Sequence, residues 1–251
     1  MRRARHTRAS CQTLPRMLRP LALLITLATS LWAVCRQPHP RVCAEFFDSD
    51  VVLSGTVIAV RTDGSKDSPA AWFYYVRATE LFRGPSEKTV EFWTENSSAR
   101  FPLSKGRQYL LLAQKDFDGQ FELTCCGNSG FLEDSAGAIR QIREILKTKS
   151  GGEISGRIGR VDSNDFAGVR VTAIGAKGTY EALTNKNSWF HMRVPDGAYR
   201  VRAHAPGRNF VSYDLSYDDP ENIVVHQGGC PQVQLIPAEW DNGPRPAPKP
   251  G

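Results

Sequence analysis

The sequence predicts a mainly β protein: a small barrel of about five strands with a packed terminal helix, followed by a β-sandwich. Three observations carry that prediction. β-Branched and aromatic residues gather in short alternating runs before Cys126, and a single apolar stripe at helical spacing follows. Beyond Gly151-Gly152, short strand-like runs recur between Gly, Asn, Asp and Pro turns with no helical period among them.

The first set begins with Asp50–Arg61 and Trp72–Phe82, both long and rich in Val, Ile, Thr, Tyr or Phe. Lys88–Thr94 alternates Val90 and Phe92 against Glu91 and Trp93. Tyr109–Gln114 and Gln120–Cys125 complete the set, joined by the turn Asp116-Phe117-Asp118-Gly119. Leu132, Ala136, Ile139, Ile142 and Leu146 then define one face of a helix. Among the four consecutive aromatics Trp72, Phe73, Tyr74 and Tyr75, strand period sends two inward. Packing is therefore expected of that run more than a ligand platform.

In the second set, strands are expected at Glu153–Val161, Gly168–Ile174, Tyr180–Thr184, Trp189–Val194, Tyr199–Ala205 and Val233–Ile236. The cleanest alternation sets Tyr199, Val201 and Ala203 against Arg200, Arg202 and His204, one face buried and the other wet and basic. With Arg193, those basic residues could offer a face to an acidic glycan or partner; a solvated sheet face is the plainer account. The end of the chain is Pro-rich, and 238–251 is expected to be a disordered tail.

The start of the chain is a different material. Six arginines (Arg2, Arg3, Arg5, Arg8, Arg16, Arg19) and no acid precede the short apolar run Leu21 to Val34. That pattern is a secretory signal peptide over 1–34, the run being shorter than the ~20 residues of a membrane span. The protein is expected to be secreted, periplasmic or at the cell surface, with a membrane contact only if the leader stays uncleaved. The charge balance agrees. The chain carries 32 basic and 26 acidic residues, so removing six arginines leaves 26 against 26. A neutral exported part gives no ground for nucleic acid as a partner.

Cys11 lies in the leader, leaving Cys35, Cys43, Cys125, Cys126 and Cys230. Export favours disulfides, but five is odd, so at least one thiol lacks an intramolecular partner. No pair has CxxC spacing. Strand period puts Cys125 on the apolar face with Phe121 and Leu123, and Cys126 on the other, so the two sulfurs should leave in different directions and take different partners.

Two resemblances add to this. CRQPHPRVCAEFFDSDVVLSGTV, with KGRQYLLLAQKDFDGQFELTCCGNSGFL and the helix, resembles the netrin-like domain of tissue inhibitors of metalloproteinases (TIMP-like), over 35–148. It implies an OB-fold. ISGRIGRVDSNDFAGVRVTAI and TNKNSWFHMRVPDGAYRVRAHAPGR resemble a carboxypeptidase regulatory-like (transthyretin-like) domain of exported bacterial proteins, over 153–237. It implies a seven-stranded sandwich without catalytic residues.

The first resemblance places Cys126 where the N-terminal segment is clamped. It implies a Cys35–Cys126 bond and a Cys43–Cys125 bond; the swapped pairing would serve the same end, and Cys230 is left over. It also makes Cys35 the edge that would inhibit a metalloprotease, through its free α-amine and carbonyl on the zinc. That requires cleavage directly after Val34.

Enzyme motifs are absent from the sequence: there is no HExxH, G-x-S-x-G, P-loop or G-x-G-x-x-G. His191 and His204 read as solvated strand residues, so no metal site and no cofactor are expected. The sequence thus points to an exported, non-catalytic binding or structural protein with a protein or glycan partner. The alternative is an inhibitor acting through Cys35.

Overall fold

The computed structural model describes residues 35, 39–65, 69–160, 165–213 and 218–240. The leader and the last eleven residues fall outside them, so the signal peptide and most of the expected tail do too. Within the described residues the protein is mainly β. Two compact units share the chain. One is Ser49–Ala136 with Cys35; the other is the arm Arg36–Asp48 with everything from Gly137 onward.

The first unit is a barrel of β1 (Val51–Gly64), β2 (Pro69–Arg83), β3 (Thr89–Glu95), β4 (Gln108–Lys115) and β5 (Phe121–Glu122), with the short β6 (Gly130–Phe131) added on β4. The order is β1-β2-β3-β5-β4-β6, and β1 also pairs with β4, which closes the ring. All neighbours are antiparallel except β3 and β5. Long β1 serves two partners because its pairing with β2 shifts at Val52/Leu53, Ser54/Gly55 and Val57/Ala59, and such bulges bend a strand. Gly55 sits at one of them, where a Cβ would come 2.6 Å from the Arg77 carbonyl oxygen, so no other residue fits.

Alternation along the strands fills the interior with Leu53, Val57, Tyr74, Val76, Phe92, Tyr109 and Leu111. The aromatic run of β2 divides by strand period. Tyr74 is core and Trp72 packs against it, with the Arg100 guanidinium 4.2 Å above the Trp72 ring. Phe73 lies on the alternate face, covered by Arg61 at 3.9 Å.

The second unit is a two-layer sandwich. β7 (Gly152–Ile158), β10 (Trp189–Val194), β12 (Phe210–Ser212) and β14 (Gln232–Pro237) form one sheet in the order β10-β7-β14-β12. β8 (Arg170–Gly175), β9 (Gly178–Leu183), β11 (Gly197–His204) and β13 (Ile223–Val225) form the other in the order β13-β11-β8-β9. The strands therefore number eight among the described residues, one more than the resemblance implies. Ile154, Ile158, Val171, Phe190, Met192, Tyr199, Val201, Val233 and Leu235 interdigitate between the sheets. On β11 the alternation is as expected: Tyr199 and Val201 are buried, while Arg200, Arg202 and His204 are exposed.

Four features depart from the sequence reading. The helix α2 (Ala136–Lys147) belongs, from Gly137 on, to the sandwich unit and not to the barrel. Its buried residues are Ile142 and Ile145, while Leu146 is 49% exposed and Leu132 lies before the helix in the 3-10 turn Leu132–Asp134. The arm carries a helix, α1 (Val42–Asp48), and also joins the sandwich unit. The strand expected over Gln120–Cys125 is cut to Phe121–Glu122. Ala238–Trp240, placed in the tail by composition, is a 3-10 turn whose Trp240 ring packs edge-on against Phe166 at 5.4 Å.

Candidate functional site

The stretch after β5 makes a site because its backbone stops being a strand. The Leu123 N–H donates to the Trp93 carbonyl at 2.9 Å, and Thr124 makes an isolated bridge to Arg100. The Cys125 N–H then donates to the Ala99 carbonyl at 2.9 Å, and the chain turns at Cys125-Cys126. A turn has no two-residue alternation, so the argument that sends the two sulfurs to opposite faces loses its premise. The sulfurs of Cys35, Cys125 and Cys126 lie within 4.8 Å of one another, all three residues half-buried.

Within that cluster Cys35 and Cys126 are bonded, with Cα atoms 5.1 Å apart, and Cys125 is a free thiol. The Cys43–Cys125 bond implied by the resemblance is not formed. Cys43 is bonded instead to Cys230, the cysteine left over in the sequence reading, with Cα atoms 5.3 Å apart.

The reason is local packing of the arm in the sandwich unit. The Arg41 N–H donates to the Gln232 side-chain oxygen at 2.8 Å, and its guanidinium forms an ion pair with Glu153. Phe47 stacks on His226 at 4.6 Å. Gly229 makes that approach feasible, since a Cβ there would come within 3.2 Å of the Phe47 ring. These contacts set α1 on the loop that ends in Cys230. No signal in the cysteine spacing could have found this pairing. The pattern Val42, Phe46 at i and i+4 in the arm was available as a helix signal.

The other expected sites resolve as packing or charge balance. An open groove of about 1500 Å³ on the sandwich is bordered by Arg170, Arg202, His204 and Arg208. Two of its arginines are paired with acids, Arg170 with Glu181 at 3.9 Å and Arg202 with Glu221 at 3.2 Å, and Arg208 lies over the Phe166 ring at 5.3 Å; Arg200, beside the groove, also reaches Glu221 at 3.2 Å. His204 shares a hydrogen bond with Thr172 at 3.2 Å. Arg193 and His191 are on β10, in the other sheet, so the four basic residues do not form one face. In the barrel, burial pushes the Glu122 carboxyl up, with the nearby Glu95 and Asp116 charges adding to it. Burial likewise raises the Tyr74 hydroxyl.

No protein-family model matches the chain, and no curated protein is similar to it. Two solved structures overlap it loosely. The TIE protein of Bacillus anthracis is 14% identical with a TM-score of 0.26, over 74% of this chain and 30% of that one. GBS52, the minor pilin of Streptococcus agalactiae, is 11% identical with a TM-score of 0.25, over 81% of this chain and 86% of the pilin. The chain thus spans less than a third of the TIE protein's length. Superpositions that loose assign neither a family nor a role.

Proposed function

We propose that the chain is an exported, non-catalytic protein of two β units that acts by binding or structural association at the cell surface or in the periplasm. The observation that carries this is the disulfide pair: Cys35–Cys126 closes within the barrel unit and Cys43–Cys230 within the sandwich unit. Bonds of that kind form and persist in oxidising compartments. The basic, then apolar, start of the sequence supplies the matching export signal. The partner class is a protein or a glycan. The mixed-charge groove on the sandwich offers such a chain both hydrogen-bond donors and carboxylates.

The TIMP-like and carboxypeptidase regulatory-like assignments belong to this proposal too. The strand order of the barrel and the Cys35–Cys126 clamp support the first; the two-sheet sandwich supports the second. A second reading follows from the clamp. The bond from Cys35 to Cys126 of the barrel unit supports it, since inhibition through zinc chelation would act at Cys35.

Expression of the full chain in a bacterial host, with fractionation and N-terminal sequencing, tests both readings. Recovery in the exported fraction with a start at Leu31 or Val34 is expected for the binding protein. A start at Cys35 would favour the inhibitor. Recovery only in the cytosol, fully reduced, would overturn the export on which both depend.

A further inference from the structure

The three-sulfur cluster can do something that neither a plain structural disulfide nor an isolated thiol can. The free thiol of Cys125 stands within 4.8 Å of both sulfurs of the Cys35–Cys126 bond. We propose that this bond is exchange-competent, with Cys125 as its internal nucleophile, so that Cys35 is held alternately by Cys126 and by Cys125.

The chemistry balances without an added redox partner. Cys125 loses its proton to solvent, and the thiolate attacks the Cys35 sulfur. The Cys125–Cys35 bond forms as the Cys35–Cys126 bond breaks, and Cys126 leaves as a thiolate that takes a proton from solvent. One disulfide and one thiol are present before and after. Attack at the other sulfur would join Cys125 to Cys126. Their Cα atoms are held about 3.8 Å apart by the trans peptide, below the roughly 4.4 Å that an unstrained disulfide needs. The exchange is therefore directed to Cys35.

Chain entropy does not choose between the two forms. The bond to Cys126 spans a sequence separation of 91, and a bond to Cys125 would span one residue fewer. In the loop-closure model that difference is negligible. The turn at Cys125-Cys126 is what makes the two donors equivalent, because a continued strand would send one sulfur away from Cys35. The crosslink of Cys35 within the barrel unit is then retained while the free thiol migrates between neighbouring positions. It is a site of internal thiol–disulfide exchange that keeps its own crosslink.

The test uses the full oxidised chain. It is held for a timed interval, pulsed with iodoacetamide and digested without reduction, and fragmentation between residues 125 and 126 locates the label. Label shared between Cys125 and Cys126, within about tenfold of each other, is the expected result; label confined to Cys125 at all times would overturn the proposal. Independently, Cys126→Ser should retain a bond, now from Cys35 to Cys125. Two free thiols in that variant would also overturn it. Cys125→Ser serves as the reference, with the Cys35–Cys126 bond intact and neither position labelled.

Discussion

Cys43 and Cys230 are bonded across a sequence separation of 187, and both belong to the sandwich unit. A residue that precedes every barrel strand is thus a structural part of the unit that follows them. The barrel sequence is in this sense an insertion between two pieces of the sandwich unit, Arg36–Asp48 and the segment from Gly137. Crosslinks that close long loops act chiefly by restricting the unfolded chain. Cys43→Ala with Cys230→Ala should cost on the order of 2–5 kcal/mol in stability. Hydrogen exchange would localise the effect: protection should fall at residues 42–48 and 226–233 and stay unchanged in β1–β4.

Gly228 tests the seat of α2. Its φ is +76°, and a Cβ there would lie 3.1 Å from the Thr148 side chain and 3.2 Å from the Ile145 backbone. Gly228→Ala should therefore destabilise the sandwich unit by about 1–3 kcal/mol, from strain in the left-handed region plus the close contact. Gly119→Ala has the strain, with φ +79° and open space around it, and should cost less. Urea midpoints of the two variants make the comparison.

Thr184 is a buried polar staple of the sandwich. Its hydroxyl accepts the Val169 N–H at 2.9 Å and donates to the Phe166 carbonyl. Thr184→Val keeps the shape and removes both bonds, leaving two buried backbone groups unpaired. A loss of about 1–3 kcal/mol is expected, read from chemical denaturation.

Glu122 predicts a pH dependence. Burial, then the Glu95 and Asp116 charges, raise its folded-state pKa above the unfolded one. The fold consequently binds that proton more tightly than the unfolded chain does. Stability contributed by Glu122 falls as pH rises through this range and returns on acidification. Glu122→Gln should raise the melting temperature at neutral pH, with the gain shrinking as pH falls through the raised folded-state pKa and absent below about pH 4. An equal gain at all pH values would point to packing in place of charge.

How much was legible in the sequence follows the physics of each element. Val90, Phe92, Tyr199 and Val201 alternate within strands long enough to show a period, and they are buried as read. β12 and β13, three residues each, are too short for two-residue alternation to register. Four of the seven residues of α1 are Val, Cys or Phe, which favour strands, and its helix is supported by the burial of Val42, Ala44 and Phe46. The Cys125-Cys126 geometry escaped because the strand ends at Glu122, a boundary set by the Leu123 and Cys125 backbone bonds to Trp93 and Ala99 and not by any turn residue. Disulfide partners are a property of the fold, and Cys230 shows it: nothing in its spacing marks it as the partner of Cys43.

Non-reducing peptide mapping of the full chain recovered from the exported fraction decides whether each unit carries its own disulfide. A Cys43–Cys230 crosslink and a second crosslink from Cys35 to the Cys125-Cys126 peptide are expected, with one free thiol in that peptide. Cys43 bonded to Cys125 or Cys126, or Cys230 recovered as a free thiol, would contradict that pairing.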